Sequence, residues 1–462
     1  MLVYTKLFGA FFICLCILLC LVSYLIKNDI LRNTFSRLIL LSGSVAFFLY
    51  SGKSFIWFYL YLIIITYIGG LCISKTKRSF WIFTLLLFAP LLAYKLLSWS
   101  SSDIIQPLGI SFITLQSYTY FYALYKNEME CEKGIVQVAL FVSFFPCLSS
   151  GPIMDAGILL PQFKKIRSFD YERVTDGIRL YGWGLLKKLV LADNLALYIS
   201  GVKENAQSAE HAGTALLITA LLYSFQLYFD FSGYSDIVVG CGKVMGFDLT
   251  RNFNHPYLSK TVAEFWNRWH ISLSGWLKKY IYIPLGGSRV NVVRIYVNTM
   301  SVFLMSGFWH GNGVTFLVWG ILHGLFVCID RALKKKGYKG NVFITYMAVS
   351  FAWIFFAAPS VSSAVNTIIS FAGIPNEIKL LALGEIGSLS SLLLIPENCN
   401  VLLILSGLFI FGVISHITYK KDGNEIVKSL NPIIRWCCYY ALIMAILLFS
   451  CTEQVNFIYN QF

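Results

Sequence analysis

Apolar residues run along this chain in long blocks, separated by short polar connections. The blocks cover 7–26, 55–74, 80–97, 108–125, 134–148, 178–197, 214–231, 297–308, 315–329, 344–356, 401–417 and 433–450. A helix needs ~20 apolar residues to cross a bilayer core, so the pattern predicts an all-α polytopic membrane protein with about 11 crossings. The shorter blocks predict re-entrant or interfacial helices around an internal tunnel, since irregular backbone is tolerated at membrane depth only where protein or a water-filled cavity covers it. The first block is too long for a signal peptide and lacks a small-residue cleavage site, so it reads as a retained helix, followed by Lys27, Arg32 and Arg37. No internal repeat or low-complexity tract interrupts the chain, which predicts one membrane domain over 1–462 with no fused soluble domain.

Polar residues inside or beside the apolar blocks carry the functional signal, because an ionisable group placed in lipid costs several kcal/mol unless it meets a cavity or a partner. The stretch 297–329 contains no Lys, Arg, Asp or Glu, yet it holds His310 in the run Ser-Gly-Phe-Trp-His-Gly-Asn-Gly. Gly307, Gly311 and Gly313 weaken a helix there and permit close backbone approach. His310 is a candidate reactive group, the alternative being a histidine that hydrogen-bonds between helices. His323, in Leu-His-Gly, has the same features in weaker form and reads first as structural.

The segment 261–280 reads TVAEFWNRWHISLSGWLKKY. Val262, Trp266, Trp269, Leu273, Trp276 and Tyr280 recur at spacings of four and three, which predicts one amphipathic helix with an aromatic face. His270 falls at the edge of that stripe, with Asn267 one turn before and Ser274 one turn after, so it either faces inward in polar company or sits at headgroup level. Upstream, QLYFDFSGYSD (226–236) ends an apolar block with Asp230 and Asp236. These acids read as caps or as partners for a base such as Arg268.

Composition sharpens this picture. Apolar residues make up 57% of the chain and charged residues only 13%, about half the usual charged share of ~25% in a soluble protein. The net charge is +14. Its basic clusters (Lys75, Lys77 and Arg78; Lys164, Lys165 and Arg167; Arg331 with Lys334, Lys335 and Lys336; Lys420 and Lys421) flank apolar blocks, as cytoplasmic loops do under the positive-inside bias. Nucleic acid is therefore not expected as a partner, whereas a basic face suits an anionic cofactor such as coenzyme A. Twelve cysteines include no C-x-x-C pair, so neither zinc nor a disulfide framework is indicated.

Several motifs then occur in order: FDFSGYSD (229–236), NFNHPYLSKTVAEFWNRWHISLSGWLKKYIYIPLGGSR (252–289), SGFWHG (306–311) and WGILHG (319–324). Together they resemble the core motifs of membrane-bound O-acyltransferases. PLGISFITLQSYTY (107–120), FVSFFPCLSSGPI (141–153), LLPQF (159–163), LLKKLVLADNLA (185–196) and the terminal FIYNQF (457–462) are similar to segments of the branch that includes the alginate O-acetyltransferase membrane subunit. The resemblance spans roughly 35–462. It implies that His310, in the Trp-His-Gly motif, is catalytic and that His270, in Arg-Trp-His, is a second functional residue. Trp309, Asn267, Ser274, Asp230, Asp236 and His323 are then candidate tunnel or supporting residues. Two positions depart from the family pattern: Lys278-Lys279 replaces an Arg-Asp pair, and Ala357 replaces an arginine after Trp353-Ile-Phe-Phe.

The resemblance implies acyl transfer from a cytosolic thioester, acetyl-CoA, to an extracellular polysaccharide hydroxyl across the cytoplasmic membrane. No cofactor stays bound. Lys278 and Lys279 are candidate contacts for the coenzyme A phosphates. It also implies an extracytoplasmic serine esterase-like acetyltransferase as partner, in a setting of membrane lipids. The alternatives are D-alanyl transfer from a carrier protein to teichoic acid, and a non-catalytic glycan exporter or assembly subunit.

Overall fold

The computed structural model describes residues 3–52, 55–100, 107–451, 455 and 457. All regular elements among them are helical. Of the FIYNQF motif only Phe457 lies within the described residues.

Among the described residues eight helices are long and apolar enough to cross a membrane: Lys6–Leu25, Ile56–Lys75, Ser79–Trp99, Gly213–Met245, Val292–His310, Val314–Lys335, Val401–Thr418 and Pro432–Phe449. The chain is thus a multi-pass membrane protein. Other apolar blocks become shorter elements. Block 134–148 splits into Ile135–Ser143 and Phe145–Leu148, with a break at Phe144 two residues before Pro146, which cannot continue the ladder. Block 178–197 runs from the helix Tyr171–Leu185 through a wide π-type turn, Leu186–Ala192, into Asp193–Asn205. One long helix, Asp29–Gly52, was not expected from the apolar pattern. Asp29, Arg32, Asn33, Arg37, Ser42 and Ser44 dilute its hydropathy, although Leu40, Phe47 and Phe48 are buried.

The chain forms two compact units interleaved along it. The first comprises the described residues of Met1–Gly184 with Tyr234–Asn252, and the second those of Leu185–Gly233 with Phe253–Phe462.

In the first unit, side chains of intact helices supply the hydrogen bonds that the broken segment cannot make for itself. Gln116 donates its amide N–H to the Phe141 carbonyl (2.7 Å) and accepts the Met154 N–H (3.1 Å). Thr119 Oγ1 accepts the Ala156 N–H at 2.9 Å, and Ser44 Oγ accepts the Phe145 N–H at 3.3 Å. A buried unpaired backbone group costs about 1–3 kcal/mol, which explains polar residues at the centres of apolar helices.

The second unit is built around tryptophans. Trp269, Trp319 and Trp353 are each at most 1% exposed, packed with Phe265, Trp266, Phe303 and Phe356. The helix Gly213–Met245 enters this unit capped from a distance. Glu377, 3% exposed, accepts the Gly213 N–H (2.7 Å), the Thr214 N–H (2.8 Å) and the Thr214 hydroxyl (2.6 Å). A carboxylate there also meets the positive end of the helix dipole.

Burial alone raises the Glu377 pKa, but the hydrogen bonds from Thr214 and Gly213 outweigh it and hold the carboxyl below its usual 4.5. A depressed carboxyl stabilises the fold above its ordinary pKa and loses that contribution as pH falls through the folded value. Glu377→Ala is therefore expected to cost about 2–4 kcal/mol at pH 7. Thermal unfolding in detergent checks this, and the gap to wild type should shrink as the buffer is taken below pH 4.5.

Candidate active site

A helical hairpin and a helix break, both in the second unit, create the site. The first is the hairpin of Val292–His310 and Val314–Lys335. The first helix ends at His310 because Gly311 is fully extended (φ −163°, ψ 170°). Its two arms touch backbone to backbone. A Cβ on Gly307 would lie 2.4 Å from the Phe316 carbonyl oxygen, and one on Gly320 would lie 2.5 Å from that of Phe303. Only glycine fits either place, and the close approach holds His310, 4% exposed, against the helix that follows it. The nearby loop 283–287 is pinned by Asn298, whose amide donates to the Leu285 and Gly287 carbonyls at 3.1 and 3.3 Å.

The helix break is at His270, and it corrects the sequence reading of 261–280. The segment is not one amphipathic helix. It forms Val262–Arg268, capped by the Thr261 side chain, then a break, then Ile271–Leu277. His270 sits at the break with φ +44° and ψ +53°, a left-handed conformation costing roughly 1–2 kcal/mol for a residue with a Cβ. Such strain gathers at functional sites. Because the helix stops there, helical spacing no longer relates His270 to its neighbours. Asn267 is exposed and does not join the buried cluster. Ser274 spans the break instead, donating its hydroxyl to the Trp269 carbonyl (3.2 Å). His270 itself is fully buried, edge-on to Phe231 at 4.7 Å between ring centroids.

The hairpin and the break bring both histidines to one indole. The Trp309 ring lies 6.1 Å from His270 and 4.8 Å from His310. The row of rings continues from His310 to Trp319 at 5.1 Å and from Trp319 to His323 at 5.0 Å. His323 is fully buried and accepts the Trp266 indole N–H on Nδ1 (3.2 Å). An accepting Nδ1 carries no proton, so the neutral ring has its hydrogen on Nε2. His323 therefore anchors the indoles that wall His310.

A charged cluster lies beside this row. In the π-type turn Lys188 is completely buried and bridges Asp193 (2.8 Å) and Asp230 (2.7 Å). Lys187 donates to Ser232 Oγ at 3.0 Å. The partner of Asp230 is thus Lys188 rather than Arg268, which pairs with Glu264 at 3.0 Å and donates to the Tyr419 hydroxyl. Asp230 precedes Phe231, so the bridge fixes the ring against which His270 rests. Asp236, on the same helix, belongs to the first unit. Lys278 is exposed, and Lys279 lies over the Tyr280 ring at 5.2 Å, both in a π-type turn that follows Ile271–Leu277. No group of three or more His, Cys, Asp or Glu among the described residues has a metal-binding arrangement.

Lys187 and Lys188 are the residues the sequence reading passed over. Their signal was present: two cations within an apolar block, five residues before the acid Asp193.

Residues 131–363 match the membrane-bound O-acyltransferase family. The chain is 37% identical over 316 residues to the peptidoglycan O-acetyltransferase of Helicobacter pylori, covering 61% of this chain and 59% of that protein. It is 36% identical over 269 residues to the "Probable alginate O-acetylase AlgI" of Pseudomonas aeruginosa, covering 57% and 51%. A more distant similarity, 27% over 263 residues, links it to the teichoic acid D-alanyltransferase of Bacillus subtilis, covering 54% of this chain and 66% of that protein. The matched region thus spans little more than half the length of the first two relatives.

Removing one member of a buried ion cluster leaves the others uncompensated, at about 3–5 kcal/mol. Lys188→Met is expected to lose folded protein, read as yield and melting temperature in detergent. Adding Asp193→Asn to that variant should restore part of the loss, since it removes one stranded charge.

Proposed function

We propose a function from one premise, that the chain belongs to the membrane-bound O-acyltransferase family. It acts in the cytoplasmic membrane as a multi-pass O-acyltransferase, moving an acetyl group from acetyl-CoA toward the hydroxyls of an extracellular or cell-wall polysaccharide. The observation that carries the reading is that His270 and His310, far apart in sequence and both buried, border the same Trp309 indole. The names of the relatives, which act on peptidoglycan and alginate, support a glycan acceptor.

In this reading His310 is the base. Its imidazole takes the proton of the acceptor hydroxyl as the oxygen attacks the thioester carbonyl. The tetrahedral intermediate collapses by breaking the carbon–sulfur bond, and the imidazolium returns the proton to the leaving thiolate. An imidazole suits both transfers because its pKa lies near neutrality. His270, fixed by its strained backbone and by Phe231, positions the reacting carbonyl. A water-poor tunnel past the row of rings joins the donor and acceptor faces, which strengthens each polar contact and limits hydrolysis. Lys278 and Lys279 lie outside the buried cluster and meet the donor's phosphates at its mouth. The hydroxyl that reaches His310 is that of the glycan or of an extracytoplasmic serine esterase-like partner that passes the acetyl on.

D-alanyl transfer is the second reading. It rests on the Bacillus subtilis relative, whose 27% identity stands well below the 36–37% of the two acetylation-related proteins.

Loss of a general base lowers a rate by roughly 10²–10⁴-fold. His310→Ala is expected to abolish O-acetylation of the exported glycan while the protein still inserts. His270→Ala should keep measurable activity, because positioning moves no proton. O-acetyl content of the purified polysaccharide, read beside a membrane-insertion control, decides; normal acetylation with His310→Ala and no second acyltransferase would remove the catalytic assignment. Lys278→Ala with Lys279→Ala should raise the donor KM at low salt, with a smaller effect at 0.5 M salt. An exposed contact is screened when the Debye length falls to only a few ångströms, as it does near ~1 M salt.

A further inference from the structure

The first unit carries a groove of about 630 Å³ that the acyl-transfer reading does not use. Its lining is sorted by polarity. On the helix Lys6–Leu25 it runs from Gly9 to Tyr24, a length of about 22 Å at 1.5 Å per residue. The Gly9 end is apolar. Phe12 stacks there on Tyr181 with centroids 6.4 Å apart, exposed Ile13 and Ile17 form the side, and a Cβ on Gly9 would meet nothing within 4 Å. At the other end the helix's last residues meet Arg32, Arg167 and Arg173, with Ser23, Ser36 and Ser168 among them. Among the described residues the wall holds three arginines and no Asp or Glu.

The arginines are held differently. Arg32 pairs with Asp29 (2.5 Å) and Arg167 with Asp248 (2.7 Å), both acids lying off the wall. Arg173 is anchored by the backbone carbonyls of Lys243 (3.2 Å) and Ser168 (2.6 Å), and no carboxylate side chain pairs with its guanidinium among the described residues. Burial lowers the pKa of Arg173, Asp170 and Asp248 oppose that shift, and the neighbouring Arg167 adds to it. Arg forks grip phosphate oxygens in pairs, and serine hydroxyls add donors.

We propose that this groove binds an anionic phospholipid, with one acyl chain along Gly9–Tyr24 and the headgroup phosphate at Arg32, Arg167 and Arg173. The occupant follows from length and charge together. One leaflet's hydrocarbon is about 15 Å deep, so a 22 Å groove takes one acyl chain and its headgroup region. A polyprenyl phosphate would overrun it, and a zwitterionic lipid would bring a cation of its own beside Arg173, whose guanidinium has no carboxylate partner among the described residues. The proposal does not depend on the chemistry at His310.

The test uses the full chain in neutral detergent, offered equal phosphatidylglycerol and phosphatidylcholine and read by native mass spectrometry. One phosphatidylglycerol should be retained in clear preference. Near a membrane surface each basic charge changes anionic binding by roughly fivefold, so Arg173→Gln should lower retention by about that factor. Arg173→Gln also cuts two backbone links, so Asp29→Asn serves as a second variant. Asp29 has 77% of its side chain exposed, its loss frees Arg32, and retention should rise. Ile13→Trp should reduce binding of both lipids by filling the tail channel. Equal retention of the two lipids, or a preference untouched by both charge variants, would overturn the proposal. Displacement by an added polyprenyl phosphate would reassign the groove to a carrier lipid.

Discussion

The constraint on which the structure depends is that backbone inside an apolar interior must find hydrogen bonds without water. Intact helices meet it by themselves. This chain breaks its helices in several buried places, and each break is met by a particular side chain. Gln116 and Ser44 serve the break near Phe144, Thr119 the start of the helix at Ala156, Ser274 the break at His270, Asn298 the 283–287 loop, and Glu377 the start of Gly213–Met245. A polar residue in an apolar block thus marks a neighbouring break as often as it marks chemistry.

That distinction separates the histidines. His323 has a protein donor on Nδ1 and six aromatic neighbours, and its work is to hold indoles in place. His310 terminates a helix where glycine contacts force two backbones together, and His270 carries positive φ. Both stand where the chain has given up regular structure, and the cost of doing so is met by packing around tryptophans. The Lys188 bridge extends this logic to charge. It ties the π-type turn to Asp230, beside the ring that backs His270, so the strained residue rests on a rigid wall.

Much of this was legible in the chain. The apolar blocks located most of the long helices, and the glycines around His310 announced the hairpin. The His270 break was not legible, because Trp266, Trp269, Leu273 and Trp276 keep helical spacing across it. Two short helices with one turn between them bury the same residues as a continuous one, so periodicity could not distinguish them. Asp29–Gly52 escaped for the opposite reason: its polar first turns lower the average, and its buried stripe, Ser36, Leu40, Gly43, Ser44, Phe47 and Phe48, includes two serines and a glycine that carry no apolar signal. The partner of Asp230 could not be read at all, since Lys188 is forty-two residues away and only the tertiary fold brings them together.

The same physics sets which changes this site can absorb. The departures from the family pattern, Lys278-Lys279 and Ala357, fall at a partly exposed turn and a half-buried helix end. Lys278 is exposed and Lys279 lies over the Tyr280 ring, so the replacement of Arg-Asp falls outside the buried row of rings. The corresponding replacement at Lys188 would strand Asp193 and Asp230 without water. Variation is therefore permitted where charge meets solvent, while the geometry at His270 and His310 stays fixed by packing.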